Sequence, residues 1–218
     1  MRYSDRDKNN TVDRYVARLN EFGYSPKTLG WNKGNQRIRF DALTSRYDFT
    51  DKSVLDIGCG FGDLNETLRA RYGHRYQYLG LDIVPNLIEI ATSIYGDETT
   101  HFLTGDFLDT AFEQTFDFAI ASGIFNHQLE ETDSYEFIEA CISKALEVCR
   151  EGLAFDFLSD KVEYRHEHTF HSSPEKILSI AYHHSRKLVL LNDYMPFEFS
   201  LVLFKDDTFS ASKSVFRR

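Results

Sequence analysis

The sequence has few of the residues that build linkers, disulfide frameworks and membrane spans. Its 218 residues include only 4 prolines, 12 glycines, 3 cysteines and a single tryptophan. So few prolines and glycines leave little material for long flexible linkers, and three cysteines without a CxxC pair favour a reducing compartment. No run of about 18 apolar residues occurs, and the opening MRYSDRDKNN has no apolar signal region. We therefore expect a cytoplasmic protein without a membrane segment.

Positive charge is also scarce. The chain has 25 Lys and Arg against 34 Asp and Glu, a net charge of −9. Because proteins that bind nucleic acid usually carry a basic surface, this balance argues against such a partner. The charge is uneven, since residues 1–50 hold 10 basic and 6 acidic side chains, a net of +4, and the remainder carries −13.

Apolar runs that alternate with helical patterns predict an α/β fold. Residues 11–22 and 35–46 have helical spacing, and from residue 51 seven short apolar runs alternate with helical segments. This alternation predicts a mostly parallel sheet with helices on both faces. Only about six residues separate the last two runs, too few for a parallel crossover, so the seventh strand should be antiparallel. We divide the chain into a helical extension (1–50), a main domain (51–205) and a flexible tail (206–218).

The strongest motif is a glycine turn that follows the first strand. Residues 54–62 read VLDIGCGFG, an apolar run that ends in GxGxG. Glycines let the backbone turn tightly and approach a ligand closely. Oxidoreductases that bind dinucleotides use GxGxxG, but Asp63 follows Gly62 here and would set a carboxylate against a pyrophosphate. This disfavours a nicotinamide-dependent oxidoreductase, which stays an alternative, and favours a cationic nucleoside cofactor without phosphate.

Two acids follow the next two strands. Asp82 lies 20 residues after Gly62, at the end of the second strand, where a carboxylate can accept hydrogen bonds from both ribose hydroxyls. Its alternative role is to cap the helix predicted at 85–94. Asp106 follows the third strand and could accept from an adenine amino group while Phe107 shelters the ring. Alone, Asp106 would be an ordinary turn residue.

In order and spacing, residues 56–62, Asp82, Asp106 and residues 116–122 resemble class I S-adenosylmethionine-dependent methyltransferases. The resemblance covers residues 51–204 and implies a Rossmann-like fold, S-adenosylmethionine as cofactor and a methyltransferase activity of EC class 2.1.1. It also implies that the cofactor contacts Asp56, Gly58, Cys59, Gly60, Asp82, Ile83, Asp106, Phe107 and Ser122. The stretches DIGCGFGDL, ASGIFN, SPEKI and DYMPFEF are further similar to small bacterial methyltransferases of unassigned substrate.

The residues after the fourth strand bear on the methyl acceptor. Enzymes that methylate base amino groups or glutamine amides usually carry Asn/Asp-Pro-Pro-aromatic there, whereas residues 122–125 read SGIF. Together with the negative charge, this favours a small-molecule acceptor. A protein or nucleic-acid acceptor, and a non-catalytic methyltransferase-like binding module, stay open as alternatives.

Candidates for the acceptor end lie beyond the strands and in the helical extension. His127 follows the fourth strand and is the candidate general base, since an imidazole titrates near neutral pH; its alternative is an ordinary surface histidine. Residues 1–47 are expected to form a lid in which Trp31 packs on the cofactor or acceptor and Arg39 meets a carboxylate of one of them. The alternative is a helical layer that only completes the core. Tyr194 is a further candidate for acceptor contact.

A histidine-rich segment invites a metal hypothesis. His166, His168 and His171 fall within six residues. Metal sites need ligands that face inward and are fixed by further partners, and this segment is predicted to be a loop. We therefore expect a solvated loop and no metal.

Overall fold

A seven-stranded sheet organises the chain, which we describe from a computed structural model that covers residues 3–30 and 36–206. The sheet order is β3-β2-β1-β4-β5-β7-β6. Six strands are mutually parallel, and β7 pairs antiparallel with both β5 and β6. This confirms the predicted fold, including the antiparallel last strand. The strands are β1 (Lys52–Ile57), β2 (Tyr76–Asp82), β3 (Thr100–Thr104), β4 (Phe116–Ala121), β5 (Cys149–Leu158), β6 (Leu188–Leu191) and β7 (Glu198–Phe204).

Helices cover both faces of the sheet. They are α1 (Asp5–Phe22), α2 (Gln36–Thr44), α3 (Leu64–Tyr72), α4 (Pro85–Tyr95), α5 (Ser134–Val148) and α6 (Pro174–His184). Successive strand side chains point to opposite faces, so Ala119 and Ala121 pack with α5 and α6, whereas Phe118 and Ile120 pack with α2 and α3. Within the described part of the chain, no helix combines the length and the apolar character needed to cross a bilayer.

The first helix is longer than the apolar pattern predicts. It begins at Asp5 rather than at residue 11, because the Ser4 side chain accepts a hydrogen bond from the Asp7 backbone N–H and caps the helix. Its first two turns are polar and show no apolar spacing, so the period-based prediction missed them.

The cysteines are all free thiols inside the protein. Cys141 and Cys149 lie in the core beside α5, and Cys59 lies in the glycine turn. Burial raises the pKa of all three thiols. They are therefore packing groups rather than thiolate nucleophiles.

The fold brings the predicted site residues to one edge of the sheet. In parallel strands the carboxyl ends share an edge, and β1, β2, β3 and β4 are neighbours in the sheet. The glycine turn, Asp82, Asp106 and Ser122 follow the ends of these four strands in that order. Trp31 and residues 207–218 lie outside the described residues.

Candidate cofactor and acceptor site

The glycine turn after β1 has backbone angles that only glycine adopts easily. Gly58, Gly60 and Gly62 have φ angles of +70°, +56° and +77°, which are strained for residues with a side chain. A Cβ built on Gly58 would lie 2.1 Å from Cγ2 of Ile124, and one on Gly60 would lie 3.1 Å from the side chain of Leu29. The turn thus has no room for other residues.

Asp82 binds this turn to the start of α4. One carboxylate oxygen accepts the Gly60 backbone N–H and the other accepts the Val84 backbone N–H, both at 2.9 Å. Burial raises the pKa of Asp82, and the backbone hydrogen bonds partly oppose that rise. Because a carboxylate has about four lone-pair sites, Asp82 can still accept hydrogen bonds from a ligand.

Asp56 adds a second acid beside the glycine turn. It is almost completely buried and accepts a hydrogen bond of 2.6 Å from the Tyr78 hydroxyl. Burial raises its pKa to about 7, and the charges of Asp82 and Asp63 act in the same direction. A positively charged group bound beside these acids would relieve their repulsion. These carboxyl groups therefore suit the positively charged sulfonium and amino groups of S-adenosylmethionine.

The third predicted acid already has a cationic partner. Oδ1 of Asp106 accepts the Leu108 backbone N–H at 2.9 Å, and the Lys8 ammonium lies 2.6 Å from Oδ2. Phe107 beside it is buried, and Ile83 packs near Phe61. Sequence reasoning missed Lys8, because the contact joins the polar start of α1 to a loop almost one hundred positions away.

Helix α1 lies across this edge of the sheet. Its buried Asp7 accepts backbone N–H groups of Glu130 at 2.7 Å and Thr132 at 2.9 Å. The C-terminal half of α1 packs its apolar residues Val12, Val16 and Leu19 near Phe61, Val84 and Leu87. The extension thus covers the ends of β1 to β4, as both a lid and a fixed packing layer would.

Asp7 is expected to make stability depend on pH in acid. Burial raises the pKa of Asp7, but hydrogen bonds from Glu130, Thr132 and Ser4 outweigh burial and lower it overall. A carboxyl whose pKa is lower in the folded than in the unfolded protein stabilises the fold fully at pH values above its unfolded pKa of about 3.9. That stabilisation is lost as the pH falls through the pKa of the carboxyl in the folded protein. Asp7→Asn should therefore be less stable than the wild type at pH 7 and converge with it in acid.

Chemical unfolding at a series of pH values between 7 and about 2 measures this effect. Asp13→Asn is the matched control, because Asp13 lies on the exposed side of the same helix. A stability difference between wild type and Asp7→Asn that stays constant from neutral to acid pH would contradict the assignment.

Arg39 of α2 meets carboxylates of the chain itself. Its guanidinium forms a two-pronged pair with Glu198 and lies 3.1 Å from Asp156, and all three side chains are almost completely buried. The sequence predicts contact with a carboxylate of the cofactor or acceptor; the carboxylates found are Asp156 and Glu198. Sequence reasoning missed both, although an acid within an apolar strand was a usable signal.

Asp156 connects the buried group of Arg39, Asp156 and Glu198 to the residues that follow β4. It accepts the Gly123 backbone N–H at 2.7 Å and the Ser122 hydroxyl at 2.8 Å. Burial raises the pKa of Asp156, and the charge of Arg39 opposes that rise. Tyr194 lies next to the network, with its hydroxyl 2.8 Å from that of Ser200. The backbone after β4 is thus fixed by a buried ion pair.

His127 lies below α1 on the loop after β4. Its Nδ1 is 3.4 Å from the backbone oxygen of His168, and its ring meets the Tyr15 ring edge-on with centroids 6.3 Å apart. Burial, and then the charge of Arg14, lower its pKa to about 4. The imidazole is therefore neutral near pH 7 and able to accept a proton, but it is a weaker base than an exposed histidine.

The histidine-rich segment, residues 166–171, forms a loop that contacts His127. His166 and His168 are exposed, and His171 contacts the Ser159 backbone oxygen at 2.7 Å. Across residues 3–30 and 36–206, no three His, Cys, Asp or Glu side chains come together in a way that could hold a metal ion.

Comparison with known proteins identifies the type of domain. Residues 54–152 match the family described as "Methyltransferase domain". Rv1506c of Mycobacterium tuberculosis, named as a candidate methyltransferase, is 29% identical over 160 residues, which cover 70% of this chain and 93% of that protein. A ubiquinone biosynthesis O-methyltransferase of Xanthomonas oryzae is 32% identical over 109 residues, which span 48% of this chain and only 43% of the relative.

A solved structure has the same fold. Magnesium protoporphyrin IX methyltransferase from Synechocystis, crystallised with bound S-adenosylmethionine, superposes with a TM-score of 0.64 at 16% identity. The superposition covers 93% of this chain and all of that one.

Proposed function

We propose that this chain, a class I S-adenosylmethionine-dependent methyltransferase, transfers the methyl group to a small organic molecule. The observation that carries this proposal is the cover over the predicted site. Helix α1 spans the carboxyl edge of the sheet, and Leu29 closes on the glycine turn at Gly60. A site beneath a helix admits a small molecule more readily than a folded macromolecule. The net charge of −9 further disfavours nucleic acid.

The names of two similar proteins support the same acceptor class. One relative is named for ubiquinone biosynthesis and one solved structure for magnesium protoporphyrin IX. Both names refer to small organic molecules, although the first relative is matched over less than half of its length.

When bound, the cofactor would supply a methyl group on a sulfonium, from which a neutral thioether departs as a good leaving group in an in-line displacement. The task of the chain is therefore to align the acceptor with that methyl group and to exclude water. We assign the glycine turn to the methionine part, Asp82 to the ribose and Asp106 to the adenine. The full proposed set is Asp56, Gly58, Cys59, Gly60, Asp82, Ile83, Asp106, Phe107 and Ser122.

At the acceptor end, we assign His127 as the base for acceptors that lose a proton. Its lowered pKa keeps the ring neutral and free to accept a proton near pH 7. Tyr194 and Trp31 are proposed to contact the acceptor. Arg39 acts as a positioning residue, because Asp156 connects it to Ser122 and Gly123.

We further propose that residues 1–47 act as a lid over the main domain of residues 51–205. Asp7 and Lys8 tie α1 to the loops after β4 and β3, so opening requires these contacts to break. Hydrogen exchange across α1 is expected to slow when S-adenosylmethionine binds and to quicken in Asp7→Asn. Unchanged exchange on saturation with cofactor would leave α1 as a fixed packing layer instead.

Asp82→Asn is expected to weaken cofactor binding at least about tenfold, because ribose hydroxyls lose a charged acceptor. An amide also has only one oxygen, so the turn N–H of Gly60 and that of Val84 compete for it. Calorimetric titration with S-adenosylmethionine measures the affinity. Asp117→Asn is the matched control, since Asp117 also accepts a backbone N–H, from Ser53, but at the opposite edge of the sheet. Equal affinity of the two variants would reject the role of Asp82.

The acceptor class is tested by methyl transfer into a fractionated cell extract. The extract is separated into small molecules, protein and RNA, and each fraction is incubated with enzyme and methyl-labelled S-adenosylmethionine. We expect label in the small-molecule fraction, and none with the Gly58→Val variant. Label found only in protein or only in RNA would overturn the proposal.

A further inference from the structure

One guanidinium nitrogen of α1 is buried and has no hydrogen-bond partner among the described residues. Asp7, Thr11, Arg14 and Arg18 recur at spacings of four, three and four residues, so they lie on one side of the helix. Three of them have partners: Asp7 accepts from the loop after β4, the Thr11 hydroxyl meets Tyr3, and Arg18 donates to the Lys27 backbone oxygen. By contrast, Nη1 of Arg14 is buried and has no hydrogen-bond partner among the described residues.

Arg14 lies near His127, the proposed base. The adjacent residue, Tyr15, meets the His127 ring edge-on, and the charge of Arg14 lowers the pKa of His127. Arg18 acts on the same imidazole in the same direction. The part of α1 near His127 is therefore positive within a chain of net charge −9.

The strand ends at the glycine turn are acidic. Asp56 and Asp82 lie below the glycine turn, and Asp63 follows it. A ligand bound between the glycine turn and α1 thus meets carboxyl groups on one side and a guanidinium on the other. Such a field favours a group of negative charge at α1 and neutral or positive groups at the strand ends.

We propose that Arg14 binds a carboxylate beneath α1, at the carboxyl edge of the sheet, supplied by the methyl acceptor or by the methionine part of the cofactor. A guanidinium matches a carboxylate through two parallel N–H donors. A buried N–H without an acceptor is costly, and a bound carboxylate would satisfy it. A phosphate carries more negative charge and fits beside the acidic strand ends less well. The acceptor arm of this proposal rests on the proposed function and gives its acceptor a chemical class.

Two binding measurements on Arg14→Gln distinguish the sources. The first compares S-adenosylhomocysteine with 5′-methylthioadenosine, which lacks the amino-acid part and its carboxylate. The second adds acetate, malonate or benzoate to the protein saturated with S-adenosylhomocysteine. Arg46→Gln is the control, because it removes the same charge from an exposed position at the opposite edge of the sheet. Arg14→Lys keeps the charge but loses the two parallel N–H donors, so its affinity should lie between those of the wild type and Arg14→Gln.

A cofactor carboxylate predicts that Arg14→Gln binds S-adenosylhomocysteine about tenfold more weakly or worse, with 5′-methylthioadenosine unchanged. If Arg14 binds a carboxylate of the acceptor, Arg14→Gln should bind both nucleosides as the wild type does. It should then bind at least one of the simple carboxylates about tenfold more weakly. If Arg14→Gln matches Arg46→Gln in both measurements, the proposal is wrong. Neither binding measurement depends on turnover. A wrong acceptor class would instead appear in the labelling experiment, as label in protein or RNA, so the two failures can be told apart.

Discussion

Gly58→Val is expected to abolish binding of S-adenosylmethionine. The φ angle of Gly58 is +70°, and an added Cβ would lie 2.1 Å from Cγ2 of Ile124. A branched side chain therefore has to push aside Ile124 or the turn itself, and the turn is where the methionine part is proposed to lie. Fluorescence or calorimetric titration measures the affinity, and thermal unfolding reports whether the variant folds.

Gly73→Val separates backbone strain from loss of the site. Gly73 ends α3 with a φ angle of +61°, but no atom lies within 4 Å of its added Cβ. This variant should lose about 1–2 kcal/mol of stability from the left-handed backbone and bind cofactor normally. Normal cofactor binding by a folded Gly58→Val variant would show that the turn does not hold the cofactor.

Arg39→Ala is expected to lower the free energy of unfolding by about 3–5 kcal/mol, because it leaves buried charges without a partner. Asp156 and Glu198 are both almost completely buried beside the guanidinium. The loss is large against the stability of an ordinary domain, about 5–15 kcal/mol. Denaturant unfolding at neutral pH measures it.

Two comparisons test the cause of that loss. Arg71→Ala removes a guanidinium that pairs with Asp41 at the surface, and it should cost no more than about 1 kcal/mol. Adding Asp156→Asn and Glu198→Gln to Arg39→Ala removes the orphaned charges and should recover part of the stability. If Arg39→Ala costs no more than Arg71→Ala, the buried network does not stabilise the fold.

The sequence was sufficient for the sheet because its strands are short apolar runs bounded by turn residues. The structure has seven strands after residue 51, as the apolar runs predict, and β7 is antiparallel to β5. Both follow from local pattern and from loop length, which a single sequence contains. The polar start of α1 has no apolar period, so its true beginning at Asp5 could not be found in this way.

The polar partners of the site were harder to predict because they are distant in sequence. Arg39 is predicted to meet a carboxylate of a ligand, but the carboxylate that it pairs with, Glu198, belongs to the chain itself and lies 159 positions away. Asp7 likewise receives hydrogen bonds from residues more than 120 positions ahead of it. Such pairs depend on which strands become neighbours and on where α1 crosses the sheet edge, and no local spacing encodes either.

A crystal structure of the chain with bound S-adenosylhomocysteine tests the central claim most directly. The account predicts ribose hydroxyls at about 2.6–3.0 Å from the Asp82 carboxylate, with the sulfur beside the glycine turn at Gly58 and Gly60 and α1 above the ligand. A nucleoside bound away from Asp82, or bound elsewhere on the sheet, would contradict it.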